Sequence, residues 1–363
     1  MPEVVDVAVV GGGPAGLAAA AALRRGGAER VVVLERERAL GGIPRHAGHQ
    51  GFGVRHLRRV MPGPRYASAL AQRAGDSGAE LRTETQVTGW GDAGALELTG
   101  PRGRALLAAR AVVLATGCRE RPRPARRVPG SRPAGVMTTS TLQQLVYLRG
   151  EIPGRRAVVV GAEHVSFSAL ATLAHAGATA VAMVTEHPRH ASLYAFRAGA
   201  ALRFRTPLLT RTAVTAIHGR RRVEAVEVAQ LATGAVRELR CDLVVFTADW
   251  IPDHELAVLG GAALDPATRG PAVDPSLRTS RPGLFAAGNL VQGAEAADVV
   301  ALSGRHAAAA VLRHLGGEPW LTARLPIACQ SPLRWIAPNA VVAARSGAAP
   351  PPRRRFLLAP MPS

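Results

Sequence analysis

The sequence predicts an α/β fold with two parallel-sheet domains, and three observations carry this. A pattern of apolar strand, Gly turn, Ala-rich helix, apolar strand and acid occurs twice. Each copy is followed later by a further apolar strand ending in a small turn, at Ala111 to Gly117 (AVVLATG) and Leu243 to Asp249 (LVVFTAD). The strands, such as Val31–Leu34, are continuous apolar runs, which suit a parallel sheet covered on both faces.

The first copy reads VVDVAVVGGGPAGLAAAAALRRGGAERVVVLERE, with Gly11 preceding Glu35 by 24 residues. The second starts at Arg155 and reads RRAVVVGAEHVSFSALATLAHAGATAVAMVTE, with Gly161 preceding Glu186 by 25. Two βαβ units of this kind are two Rossmann-like, dinucleotide-binding-type domains. Short alternating runs between Leu81 and Arg110 predict a β-hairpin or meander, and Gly219–Arg222 inside Val214–Val228 predicts another hairpin. Residues 119–134 read as a crossing linker, and residues 347–355 (GAAPPPRRR) as an exposed, poorly packed segment. Trp335 to Asn339 and Arg355 to Leu358 read as short strands of a small cap.

Composition narrows the function classes. The 363 residues carry a net charge of +19, yet there is no Lys, so every basic residue beyond His is Arg, scattered with no recognition motif. This reads as GC-rich composition and not as a nucleic-acid surface. The three cysteines, Cys118, Cys241 and Cys329, stand at neither CxxC nor metal-ligand spacing, so no metal site is expected. The N-terminus has no basic start, and the longest apolar run, Leu17–Leu23, is far short of the roughly 18 residues that cross a bilayer. A cytoplasmic protein with no membrane partner is the expectation.

The strongest motif is Gly11 to Gly16 (GGGPAG), directly after a strand and opening a helix, with an acid 19 residues beyond Gly16. Gly11 permits the tight turn, Gly13 lets backbone approach a pyrophosphate, and Gly16 lets helix and strand pack closely. The helix that opens at Pro14, which has no N–H of its own, presents the N–H groups from Ala15 on and partial positive charge to phosphates. Glu35 can accept hydrogen bonds from a ribose diol.

On these residues the chain resembles the flavoprotein superfamily with two dinucleotide-binding domains, the pyridine nucleotide-disulfide type that includes thioredoxin and glutathione reductases. The resemblance spans about residues 4–315 and is carried also by Gly41-Gly42, by Ala115-Thr116-Gly117, and by Thr279 to Asn289 (TSRPGLFAAGN). It implies FAD as cofactor, with Arg36, Gly42, Val87, Ala115, Thr116, Gly117, Gly288, Asn289, Asp298 and Val299 joining Gly11, Gly13, Pro14, Ala15, Gly16 and Glu35 at the site. It also implies a split first domain, residues 1–150 plus 275–320, with the second inserted as residues 151–274. Residues 321–363 form an unassigned C-terminal extension.

Three departures sharpen the reading. Asn289 stands where the family usually has Asp; it removes a charge but can still bond a ribityl hydroxyl. The second turn reads Gly161-Ala-Glu163-His-Val-Ser166, so a carboxylate replaces the Gly that should face pyrophosphate, which argues against a conventional NAD(P)H site. Glu186 would favour NAD over NADP if a nicotinamide binds. Residues 41–53 (GGIPRHAGHQGFG) contain no Cys, so disulfide reduction is not expected.

Residues 41–67, Pro133 to Met137 and Leu142 to Gln144 resemble the FAD subunits of opine and amine dehydrogenases and of hydrogen cyanide synthase, without the iron–sulfur cysteines several of these carry. That subgroup implies hydride transfer to flavin N5 from a small-molecule amine, amino acid or opine-like substrate, as part of a complex with a partner oxidoreductase subunit or electron acceptor. His46 and His49 are the expected proton-handling residues, and Arg45 the expected carboxylate ligand. The alternatives are an NAD(P)H-dependent flavin reductase and a non-catalytic flavin electron-transfer subunit.

Overall fold

The computed structural model describes residues 2–192, 202–342 and 350–360. The chain divides into two compact units. One comprises the chain through Arg45, Gln50–Arg119 and the described residues from Ile251 on; the other comprises His46–His49 and Glu120–Trp250.

In the first unit, β1 (Glu3–Val10) leads through α1 (Pro14–Arg25) to β2 (Val31–Leu34). β1 lies at the centre of a seven-stranded sheet. It pairs in parallel with β2, Val10 opposite Leu34, and on its other side with the strand Gly103–Leu114, Val10 opposite Leu114. Strands Glu80–Arg82 and Leu284–Ala286 extend the parallel part. Gln86–Trp90 and Leu96–Gly100 add the antiparallel meander expected from the alternating runs. Leu17, Leu23, Leu34, Leu107, Leu114 and Phe285 are fully buried, each contributing about 1.5–3 kcal/mol through loss of apolar surface to water. The Ala-rich face of α1 lets the long helix Ala297–Leu315 lie close, and a Cβ on Gly304 would fall 2.0 Å from the Ala15 carbonyl oxygen.

The second unit repeats the plan: β3 (Arg156–Val160), α2 (His164–His175) and β4 (Thr179–Val184). Its five-stranded sheet is wholly parallel, in the order Val136–Thr138, Leu243–Phe246, β3, β4, Leu208–Leu209. A three-stranded antiparallel meander, Thr212–His218, Ala225–Gln230 and Val236–Arg240, contains the expected hairpin.

Two sequence boundaries shift for a physical reason. Residues 251–274, expected in the second domain, fold with the first unit, where Ile251–Pro252 pairs with Cys118–Arg119. Residues 120–150, expected in the first domain, fold with the second unit because Val136–Thr138 is an edge strand of its sheet, hydrogen-bonded to Leu243–Phe246. The described part of the C-terminal extension folds with the first unit. Leu333–Ala337 pairs with Leu357–Pro360, the two short strands anticipated there, and Arg324–Pro326 pairs with Ala340–Val342. The extension is fastened by Asn339, whose Oδ1 accepts from Val273 N (2.7 Å), and by Arg324, which donates to Arg278 O (2.8 Å). Residues 347–349 of the Pro- and Arg-rich segment lie outside the described residues; Pro352–Arg354 form one 3-10 turn.

Candidate cofactor site

The first turn is shaped by backbone contact. Gly11 sits at φ +108°, and a Cβ there would fall 2.4 Å from the Ala115 carbonyl oxygen. A Cβ on Gly16 would fall 1.9 Å from the Gly11 carbonyl oxygen. Neither position tolerates a side chain. Gly13 is the N-cap of α1 and supplies no side chain to it, Pro14 opens the helix, and no acid lies in its first turn. The leading N–H groups therefore have no side-chain acceptor. Over Gly13 the nearest heavy atom to a Cβ would be Gly42 Cα at 4.0 Å, so the space there is open.

Glu35 follows β2 and is 7 % exposed. Its Oε2 accepts from Gly12 N and its Oε1 from Glu37 N, both at 2.8 Å. The acid thus braces the turn. Gly41 N returns to Gly12 O (2.8 Å), which lays Gly42 against Gly13. Beyond Glu35, Arg36, Glu37, Arg38, Glu84 and Gln86 line an open groove, while Val87 is buried in the sheet.

Ala115 N bonds Val10 O (2.8 Å), Thr116 Oγ1 donates to Asp253 O (2.8 Å), and Asp253 N donates to Gly117 O (3.0 Å). Gly288, at φ +72°, approaches Ala15 so closely that a Cβ would sit 2.9 Å from the Ala15 Cβ, and its N–H donates to Ser303 Oγ (3.1 Å). The structure therefore gathers Gly11, Gly13, Ala15, Gly16, Glu35, Gly42, Ala115 and Gly288 around one helix start.

The remaining positions are engaged locally. Asn289 Oδ1 accepts from Glu295 N (2.8 Å) and its Nδ2 donates to Glu295 O (3.3 Å), a pairing only an amide can make. Asp298, in the first turn of the helix Ala297–Leu315, accepts from His56 N (3.2 Å), and Val299 N donates to Ala296 O (2.8 Å). Burial and the Asp298 charge push the Tyr66 hydroxyl well above its ordinary range. Burial, with Arg305 and Arg73 nearby, pulls His56 below the usual imidazole value.

The three substrate candidates do not fall in one unit. Arg45 belongs to the first, where it donates to Ala39 O (3.3 Å) and pairs with Glu37 (3.5 Å). His46 and His49 belong to the second, where His46 is buried and His49 Nε2 meets Ser168 Oγ at 2.6 Å. Gln143 Nε2 donates to the same hydroxyl (2.7 Å). Nothing in the local sequence announces Ser168 or Gln143 as partners of a histidine more than 90 residues away.

The fit to a dinucleotide is thus good at α1: an uncapped helix N-terminus, glycines at 11 and 16 that admit no Cβ, open space over Gly13, and a fixed acid at the end of β2. The model of the pyridine nucleotide-disulphide oxidoreductase family matches residues 5–310. The chain belongs to this family. Membership makes it an oxidoreductase and implies flavin and NAD(P) binding. It is 30 % identical to the glutamate synthase [NADPH] small chain of Mycobacterium tuberculosis, over 87 % of this chain and 68 % of that one. It is 28 % identical to an opine oxidase subunit of Agrobacterium tumefaciens, over 87 % and 67 %. The fold is similar to that of T. acidophilum thioredoxin reductase, with TM-score 0.71 and 23 % identity, covering 86 % of this chain and 99 % of that one. Among the described residues no helix is long and apolar enough to cross a membrane.

Proposed function

We propose that the chain is an FAD-dependent dehydrogenase of an amine, amino acid or opine-like substrate, working as one subunit of a complex. The observation that carries this is the open N-terminus of α1 at Gly13, with Glu35 fixed beside it. FAD, when bound, supplies the acceptor for a hydride from the carbon bearing the substrate nitrogen.

The chain's share is placement and electrostatics. The amides at the start of α1 and the helix dipole hold the pyrophosphate. Glu35 keeps acceptor capacity for a ribose hydroxyl while bracing Gly12. Asn289 holds the loop to Glu295 in place by its two backbone bonds. Arg45 would pair with a substrate carboxylate, and His46 or His49 would take the proton of the substrate ammonium.

The likeness to the opine oxidase subunit supports both the substrate class and the partner subunit. The likeness to the glutamate synthase [NADPH] small chain favours a second reading, in which electrons enter from a pyridine nucleotide and leave to a partner.

The test is anaerobic mixing of the purified, flavin-loaded protein with a panel of amines, amino acids and opines. Bleaching of the flavin's visible band by one such substrate, with release of a carbonyl product, is the expected result. Bleaching by no amine-type substrate, but by NADPH, would contradict it.

A further inference from the structure

The family implies a second dinucleotide, NAD(P), and the second unit carries the matching βαβ plan; its residues do not fit that ligand. Corresponding backbone bonds align the two turns position by position. Gly11 N bonds Leu34 O (2.9 Å), as Gly161 N bonds Val184 O (2.8 Å). Gly41 N returns to Gly12 O (2.8 Å), as Ala191 N returns to Ala162 O (3.0 Å). In this frame Glu163 occupies the place of Gly13, and Ser166 that of Gly16.

The frame also corrects the role expected of Glu186. Glu35 N bonds Arg82 O (2.8 Å) and Thr85 N bonds Glu35 O (2.8 Å); Thr185 N bonds Leu209 O (2.9 Å) and Thr212 N bonds Thr185 O (2.9 Å). Glu37 N donates to the Glu35 side chain, as His187 N donates to Thr185 Oγ1 (3.4 Å). Thr185, and not Glu186, therefore stands at the ribose position. Glu186 is one residue further on and exposed, because successive side chains at a strand end point to opposite sides.

The missing acid has moved into the turn. In the first unit the second amide of the turn, Gly12 N, is received by Glu35. In the second, Ala162 N is received by Glu163 Oε2 (3.1 Å). Glu163 and Ser166 form a reciprocal capping box on α2, with Glu163 N donating to Ser166 Oγ (3.1 Å). Ser166 Oγ also lies 2.6 Å from Thr247 Oγ1, which donates to Val160 O (3.1 Å). The nearby Arg126 guanidinium feels the Glu163 charge but spends its donors on the carbonyls of Arg121 (2.8 Å), Thr247 (2.6 Å) and Ala248 (2.9 Å). The return over the turn is Gly41-Gly42 in the first unit, both at positive φ, but carries the side chains of Ala191 and Ser192 in the second.

We infer that the second unit is a nucleotide-binding fold closed by its own carboxylate: Glu163 occupies the pyrophosphate seat of α2 and excludes NADH and NADPH alike. The phosphate would have to displace a like charge, break the capping box and find no acid for its ribose. This inference concerns the second seat alone: it fails on nucleotide binding by the wild type, whereas the dehydrogenase reading fails on the absence of bleaching by any amine-type substrate.

The experiment is calorimetric titration of the flavin-loaded full chain with NADH and with NADPH. Wild type is expected to show no binding up to about 1 mM, the upper end of ordinary substrate affinities; micromolar binding of either would overturn the inference. The double variant Glu163→Gly with Ser166→Gly is expected to bind at least tenfold more tightly than wild type. Glu163→Gln, which keeps an acceptor oxygen in the seat, is expected to stay closed. A double variant with native circular dichroism and flavin content that still binds neither nucleotide would show that Glu163 is not the plug. If that variant fails to fold, Glu163→Ala with Ser166 retained answers the same question, and a gain in binding is again the supporting result. Binding by Glu163→Gln as tight as by an opened variant would refute occupancy of the seat as the cause.

Discussion

The two βαβ units share a backbone and differ in where they keep one carboxylate. In the first, Glu35 waits at the end of β2, buried, holding Gly12 N and leaving the helix start at Gly13 open. In the second, the acid sits inside the turn at Glu163, where it accepts from Ala162 N and shares a capping box with Ser166. A helix N-terminus with unsatisfied N–H groups is an anion site only while nothing internal satisfies it. On the inference drawn above, moving one acid by some twenty residues separates an open nucleotide seat from a closed one.

The contrast can be broken most violently at the close-packed glycine. Gly16→Val would drive a side chain into the Gly11 carbonyl, which a Cβ would already approach to 1.9 Å; colourless protein with no retained flavin is the expected outcome on gel filtration and absorbance. The corresponding Ser166→Gly should leave flavin content unchanged.

Next comes the acid. Glu35→Ala strands the buried N–H of Gly12 and the N–H of Glu37, costing about 2–4 kcal/mol at ordinary penalties for unsatisfied groups, read by urea denaturation together with flavin loss. Asn289→Asp keeps the acceptor for Glu295 N but turns a donor to Glu295 O into a carboxylate facing a carbonyl. A loss of about 1–2 kcal/mol is expected, with weaker flavin retention.

Glu163→Ala should cost about 1 kcal/mol, the worth of an N-cap, with no change in flavin content. The opposite ranking, in which Glu163→Ala sheds flavin and Glu35→Ala does not, would reverse the assignment of the two seats.

The smallest effect is on pH. Hydrogen bonds from Arg82, reinforced by Arg30, hold Glu3 down to about 2 from its ordinary 4.5. Because the folded value lies below the unfolded one, the stabilisation is present above pH 4.5 and is lost as pH falls towards 2. Glu3 is partly solvated, so screening keeps the effect modest. Glu3→Gln should flatten the acid limb of the first unit's melting curve, while the second unit, whose β3 is fastened by Asp242 accepting from the Arg155 and Arg156 amides, should be unaffected.

Much of this was legible in the sequence. The repeat, the parallel strands and the Gly11–Gly16 turn are local patterns, and the sheets follow from them. The replacement of Gly by Glu163 was visible too, but the link of Ser166 to Thr247 was not, because Thr247, just after the strand Leu243–Phe246, lies 81 residues along the chain. Counting from the turn to the next acid misassigned Glu186, since strand register and not residue count decides which side chain faces the ribose. His46 and His49 stand out through the adjacent glycines, but the Ser168 partner of His49 was not legible, because it lies 119 residues along the chain. Asn289 reads as a neutral cofactor ligand in place of an acid; its two bonds to Glu295 were not legible in the sequence.

The most direct test of one open seat and one closed seat is anaerobic stopped-flow mixing of the flavin-loaded protein with NADPH and, separately, NADH, each at about 1 mM. The account predicts that the visible flavin band persists in both, while dithionite bleaches it fully. Rapid bleaching by either nucleotide would mean that the second seat is open and that the carboxylate of Glu163 does not close it.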